Sequence, residues 1–323
     1  MMVGKAENEK GRTLFSVQTF KTLIAGGVAG CCAKTAVAPL DRVKILMQGH
    51  NKYYRNTGVF KSLHTVYLKE GIPGLYKGNY FQMIRIMPYG AVMYASYDLF
   101  KSYLQQFTHH VHPNFVHLTS GSLAGMTAVV LTYPLDVMRA RIAFQLKGHH
   151  IYHGGMIDTV RTISQQEGIQ ALYRGMFTSL LGMAPYGGLS FWAFERSKTL
   201  LLARFPQVFG SPHKDIQQGL SLSVPAKLMC GAMAGAVAQT VVYPLDVARR
   251  KLQLSTMLCE PHKYEGKSLW QILKTVHQDH GWVKGLFRGI TVNYWRGIPA
   301  TAISFTVFES MKQIFGLDTG VSR

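Results

Sequence analysis

The sequence predicts an all-α membrane protein of six long helices, built as three copies of one two-helix unit. Three observations carry this. A short motif occurs three times, as Pro39-Leu40-Asp41-Arg42-Val43-Lys44, Pro134-Leu135-Asp136-Val137-Met138-Arg139 and Pro244-Leu245-Asp246-Val247-Ala248-Arg249. Each copy brings companion motifs at matched distances, which chance does not arrange. Six apolar stretches, 20–46, 80–104, 115–143, 176–203, 224–252 and 290–315, are each long enough to cross about 30 Å of hydrocarbon as a helix.

The companions define the unit. A Gly-x-x-x-Gly precedes each motif, as Gly26/Gly30, Gly121/Gly125 and Gly231/Gly235, the small-residue seam that lets helices pack closely in a bilayer. Beyond it, Glu70-Gly71 leads to Tyr76-Lys77-Gly78 and Glu167-Gly168 to Tyr173-Arg174-Gly175. The third copy runs from Gly281 to Phe287-Arg288-Gly289 with one extra residue, and its acidic residue, Asp279, is displaced. A last landmark follows as Tyr97-Asp98-x-x-Lys101, Phe194-Glu195-x-x-Lys198 and Phe308-Glu309-x-x-Lys312. The units span 20–108, 115–205 and 224–316, behind a short polar tail over 1–19.

The chain is strongly basic, +19 with histidine neutral, which suggests nucleic acid, an anionic membrane surface or an anionic small molecule. No run of five basic residues occurs and the cations are spread along the chain, so nucleic acid is set aside. Of 35 Lys and Arg, 20 lie in 42–78, 137–175 and 247–289, which alternation places on one side of the membrane. Such loops mark the side that is not translocated, and an even number of helices puts both termini on the other. Cys31, Cys32, Cys230 and Cys259 fit neither a zinc site nor a disulfide framework and read as small apolar helix residues. The histidines show no recurring ligand spacing, and His109-His110 and His149-His150 fall in polar linkers. No metal site, cofactor motif or nucleophile constellation is evident, which argues against an enzyme. The tail holds Glu7 and Glu9 and has no apolar core, which argues against a cleaved transit peptide.

The threefold pairing of Pro-x-Asp-x-x-Lys/Arg with Gly-x4-aromatic-Lys/Arg-Gly resembles the signature of the mitochondrial carrier family, over about 20–316. The resemblance implies six kinked helices around a pseudo-threefold axis, short matrix helices, a central site and two gates opened in turn. It further implies a monomer in the inner mitochondrial membrane, termini towards the intermembrane space and cardiolipin among the lipid partners. Gly30-Cys31-Cys32-Ala33-Lys34-Thr35 and Phe144-Gln145-Leu146-Lys147-Gly148 resemble the subgroup of the Graves disease carrier and the coenzyme A carriers.

The gate residues also make sense by themselves. Pro39, Pro134 and Pro244 lack an N–H and kink their helices. On three converging helices Asp41, Asp136 and Asp246 can pair with Lys44, Arg139 and Arg249 of neighbours, a matrix gate. Gln48 and Gln253 resemble the family's glutamine braces, while repeat two has Ala143 and is expected to lack one. At the other mouth Asp98/Lys101, Glu195/Lys198 and Glu309/Lys312 are expected to form a second triangular network, the cytoplasmic gate. Two networks of similar strength can be exchanged at small net cost.

An asymmetric substrate needs positions that break the threefold pattern. Five residues before each proline stand Lys34, Val129 and Gln239; seven after each Lys/Arg-Gly stand Arg85, Gly182 and Arg296. A cation at a helix centre costs roughly 2.5–3.5 kcal/mol on insertion scales. Lys34, Arg85 and Arg296 are therefore expected to be unpaired cations lining a water-filled cavity for a small anionic substrate. Gly182 is expected to leave a slot facing water, open to a flat ring, with Met183 and Tyr186 beside it. By resemblance to the adenine nucleotide carriers, the three cations hold phosphates and Gly182-Met183 meets adenine. The departures are Arg249-Arg250-Lys251-Leu252-Gln253-Leu254 in place of the ADP/ATP carrier hallmark, and no calcium-binding extension before residue 20. The expectation is transport of coenzyme A or a related adenine-containing phosphate compound in exchange for a nucleotide. The alternatives are another nucleotide or anion, or a scaffold or proton leak, which would not need cations at midplane.

Overall fold

The computed structural model describes residues 3–49, 58–107, 113–146, 155–205, 210–211, 221–222, 224–258, 263–264 and 266–317. Among these residues nine α-helices follow one another. They are α1 (Val3–Gln48), α2 (Val59–Leu75), α3 (Asn79–Phe107), α4 (Pro113–Phe144), α5 (Met156–Glu167), α6 (Met176–Arg204), α7 (Val224–Gln253), α8 (Leu269–His280) and α9 (Ile290–Ile314). Gly210–Ser211 and Ser221–Leu222 make a two-residue antiparallel ladder between α6 and α7. Cys259, His109-His110 and His149-His150 lie outside the described residues.

Each repeat contributes two long helices and one short one. α1, α4 and α7 are long and apolar enough to cross a membrane, over Phe20–Gln48, Val116–Phe144 and Ala226–Gln253. α3, α6 and α9 match them in length and carry Pro88, Pro185 and Pro299 within the helix. α1 reaches back to Val3, so the expected polar tail continues the first helix. That segment contains no proline, and Lys5, Ala6, Glu7, Glu9, Lys10 and Arg12 are good helix formers.

The three units join in a ring. α3 packs along α4, α6 along α7, and α9 along α1. The main core lies where the three kinked helices end. Ile45, Leu46, Ala140, Ala143, Phe144, Ala248 and Leu254 meet there and are covered by Val66 of α2 and Ile272 and Val276 of α8. Large apolar side chains such as Leu131, Phe191, Trp192, Trp295 and Ile298 stand exposed along the long helices, a surface suited to lipid rather than water.

The closeness of the ring at that end depends on three glycines. Gly78, Gly175 and Gly289 have φ of 83°, 84° and 84°, a left-handed conformation open to glycine without penalty. Gly78 and Gly175 also sit against neighbouring backbone, and Gly289 against the side chains of Tyr243, Gln48 and Met47. A Cβ at Gly78 would stand 2.9 Å from the Arg139 carbonyl oxygen, and one at Gly175 would stand 3.1 Å from that of Arg249. The glycine of each Lys/Arg-Gly landmark thus starts the second long helix of its repeat (α3, α6 or α9), and in repeats one and two it lets the next repeat's gate helix approach. Gly175→Ala is expected to cost at least about 1–2 kcal/mol from the backbone conformation alone. Thermal unfolding in detergent should show a lower Tm, and an unchanged Tm would count against this close approach.

Candidate functional site

Asp41, Asp136 and Asp246 each stand two residues after a proline within the helix. Asp41 and Asp136 are buried, and each is gripped from two sides. Arg139 Nη2 stands 2.5 Å from Asp41 Oδ2, and Arg296 Nη1 stands 3.0 Å from Oδ1. Asp136 pairs with Arg249 through Oδ2 and with Arg85 Nη1 at 2.8 Å through Oδ1. A buried carboxylate needs such counter-charge, since breaking a buried pair by removing one partner costs about 3–5 kcal/mol.

This arrangement corrects two expectations. Arg85 and Arg296 are not unpaired: the aspartates of the gate itself are their partners. The carboxylates expected to serve the gate alone serve these two cations as well. The third edge also differs. Among the described residues no ion pair joins Lys44 to Asp246. Lys44 Nζ donates to Asn293 Oδ1 at 2.8 Å, and Asp246 accepts from Gln239 Nε2 at 2.7 Å.

Lys34 is half-buried and lies within electrostatic reach of Arg296, Asp41, Arg139 and Arg85. Gly182 does not face water. It is buried against α7, where a Cβ would meet Val242 Cγ1 at 3.4 Å and Leu245 Cδ1 at 3.9 Å. The same position in repeat one holds Arg85, which reaches α4 and there also bonds Thr132 Oγ1 at 3.3 Å. The position therefore points at the next repeat, so glycine there means close helix packing and a missing cation. Met183 packs on the Val129–Tyr133–Val137 cluster, and Tyr186 is 40% exposed.

The glutamines brace the gate from beneath. Gln48 Nε2 donates to the Tyr243 hydroxyl at 3.2 Å, and Gln253 Nε2 to that of Tyr133 at 3.0 Å. The hydroxyls in turn donate to the carbonyls of Arg288 at 2.9 Å and Arg174 at 3.1 Å. Tyr173 and Phe287 stack on the two brace tyrosines with ring centroids 6.4 Å apart. The tyrosines escaped the sequence reading, although both stand directly before the motif proline where repeat one has Ala38.

A second tier lies beyond the braces and was also missed. Arg42 and Arg141 are fully buried. Arg42 holds Glu70 at 2.8 Å and donates to the carbonyls of Ala143, Gln145 and Gly74. Arg141 holds Glu167 at 2.5 Å and donates to the Gln253 carbonyl at 3.2 Å. Lys251 donates to the Gly49 carbonyl at 3.4 Å and lies 4.6 Å over the Tyr264 ring. Each cation caps the last carbonyls of the next gate helix.

The expected cytoplasmic network is not assembled. Lys198 and Lys312 stand 3.5 Å from Glu195 and Glu309 of their own helices, and Lys101 lies 6.0 Å from the Tyr97 ring. Among the described residues no ion pair at Asp98, Glu195 or Glu309 crosses between helices. The ring is shut at the α2–α5–α8 end and unlatched at the other.

The mitochondrial carrier protein profile matches residues 15–108, 110–205 and 220–319. The chain belongs to the mitochondrial carrier family. Its members are inner-membrane transporters rather than enzymes. The carrier is 47% identical to human solute carrier family 25 member 16 over 302 residues, covering 92% of this chain and 89% of the relative. It is 37% identical to mitochondrial carrier protein CoAc2 of Zea mays over 305 residues, 90% of this chain and 85% of that one. It is 35% identical to the human mitochondrial coenzyme A transporter SLC25A42 over 298 residues, 91% and 88%.

The second tier gives the carrier an acid-sensitive seam. Burial opposes ionisation of Glu70, but the Lys77 ammonium 2.9 Å away and the Arg42 guanidinium outweigh it and hold the carboxyl below its usual range. Burial is likewise outweighed at Glu167 by Arg141, Thr256 and Arg174. Groups with depressed folded pKa add stability that is complete above the ordinary glutamate value of 4.5 and is lost as pH falls through the folded value. Tm in detergent should hold from neutral pH to about 5 and then fall. Glu167→Gln should lower Tm at neutral pH and flatten that acid limb, whereas an unchanged acid limb would show that Glu167 does not carry it.

Proposed function

We propose that the carrier moves coenzyme A, or a closely related adenine-containing phosphate compound, by alternating access and in exchange for a nucleotide. The observation that carries this is an excess of positive charge around the gate carboxylates. Lys34, Lys44, Arg85, Arg139, Arg249, Arg250 and Arg296 face Asp41, Asp136 and Asp246. Seven cations against three carboxylates leave room for an anion of several charges. A phosphate group would compete with Asp136 for Arg85 and with Asp41 for Arg296, so binding would loosen the gate beneath it. The ring end of the substrate is assigned to the α6 side, with Tyr186 as exposed contact and Gly182 and Met183 as the wall behind it. The names of the maize and human coenzyme A carriers support the same substrate class.

The cation-rich end is placed in the matrix and both termini in the intermembrane space. One chain closes its own ring through α1 and α9, so a monomer suffices. Cardiolipin, with two phosphates, suits the basic end. Tags at residues 1 and 323 should be equally open to protease in mitoplasts, and protection of either overturns the orientation.

The substrate test is uptake by proteoliposomes preloaded with adenine nucleotide. Coenzyme A should enter. Arg85→Ala and Arg296→Ala should each reduce uptake about tenfold or more, since hydrogen bonds to charged groups contribute roughly 1.5–3 kcal/mol. Tyr186→Ala should slow coenzyme A more than phosphopantetheine, which lacks adenine. Equal slowing removes the ring assignment, and a wild type that moves no adenine compound removes the substrate.

A further inference from the structure

The three edges of the gate are unequal, and one uncharged side chain accounts for the difference. Asp41–Arg139 and Asp136–Arg249 are ion pairs between adjacent repeats. The third edge, Asp246 with Lys44, has both charges but no pair. Asn293 is buried on α9, three residues before Arg296. Its Oδ1 accepts from Lys44 Nζ at 2.8 Å and from Arg296 Nη2 at 3.0 Å. A carboxamide oxygen has two lone pairs, and these two donors fill both. The equivalent positions are Gln82 and Ser179. Gln82 Oε1 is buried with no hydrogen-bond partner among the described residues, and the Ser179 hydroxyl bonds the Gly175 carbonyl and the Tyr133 hydroxyl. In neither of those repeats does the position take a gate cation.

An ammonium ordinarily prefers a carboxylate to an amide, because charge-assisted bonds are the stronger. The fold offsets that preference twice. Gln239 already occupies Asp246 Oδ2. Gly182 brings Asp246 no second cation, whereas Arg85 and Arg296 serve the other two aspartates. Asn293 supplies Lys44 with an acceptor on the far side.

We infer that Asn293 is a positioning residue that holds the third edge of the gate open by keeping Lys44 from Asp246, and that it ties this edge to Arg296. The gate that must open then has two ionic edges rather than three. The cation of the central site and the cation of the unformed edge share one oxygen, so displacing Arg296 is felt directly at Lys44. The inference rests on the carrier reading but not on coenzyme A as the substrate.

Asn293→Leu is the test, because leucine is similar in bulk and accepts nothing. Lys44 should turn to Asp246 and add a third ionic edge. In reconstituted carrier kcat should fall about tenfold, equivalent to about 1.4 kcal/mol, with KM changed less than about twofold. Tm in detergent should rise. Adding Asp246→Asn removes the new pair and should return both kcat and Tm towards wild type, whereas Asp246→Asn alone should leave Tm near wild type. An unchanged kcat in Asn293→Leu, or a loss that Asp246→Asn does not rescue, overturns the inference. If Asn293→Leu fails to fold, Asn293→Ser, too short to reach Lys44, is judged by the same rescue. The Tm measurements need no substrate, so a normal Tm pattern with no coenzyme A uptake would overturn the substrate and leave Asn293 in place.

Discussion

Two buried carboxylates, each shared between two arginines, hold this molecule in the shape described here. Asp41 and Asp136 lie at the point where three proline-kinked helices converge, out of reach of bulk water. A carboxylate there survives only with counter-charge close by, and the fold brings that charge from other helices. Arg139 and Arg249 come from the next gate helix in the ring, Arg85 and Arg296 from the second helix of the preceding repeat. The left-handed glycines, the tyrosine–glutamine braces and the capping arginines all bring backbones near enough for those contacts. Remove the convergence and two aspartates would be left uncompensated in an apolar surround.

The pseudo-symmetry is broken in matched sets. Gln48 braces Tyr243 and Gln253 braces Tyr133, each reaching from one repeat to the preceding one in the ring. The same step from Ala143 leads to Ala38, where both partners are missing together and two buried alanines stand instead. A lone buried tyrosine hydroxyl or glutamine amide would carry the desolvation penalty unrelieved, so losing both is cheaper than losing one. The second tier shows a related substitution. Arg42 stands one turn before the position of Arg141 and Lys251, on the same helix face, and still caps the neighbouring helix end.

This asymmetry bears on transport. The gate closes one end with fewer ion pairs than three repeats would allow, while the charge pairs at the other end stay within their own helices. A carrier that shuttles between two closed forms gains nothing from a lock too strong to break, since the two states must differ by little. The positive excess around the gate is held apart by the aspartates, and an anion entering from the open end meets arginines already ordered by them. The charges that hold the gate and those that would hold a phosphate are partly the same groups.

The sequence by itself determined the all-α class, the threefold repeat, the six long helices and the residue types at the gate. All of these follow from local pattern: apolar length, proline and glycine positions, and charge three residues from charge. It also found the positions where repeats differ, including Lys34, Gly182, Gln239 and Arg296. Only the tertiary structure decided who pairs with whom. Asp136 lies three residues before Arg139 on one helix yet binds Arg249 and Arg85, because the kink and the ring turn its carboxylate towards other helices. Gly182 read as an open slot and is a packing contact, since a sequence period gives the face of a helix but not the neighbour it meets. Nothing in the local pattern marks Tyr133 and Tyr243 as polar partners; they become so because a glutamine from another repeat comes within 3.2 Å. Contacts between residues a hundred or more positions apart depend on how the helices converge, and that is set by the whole ring at once.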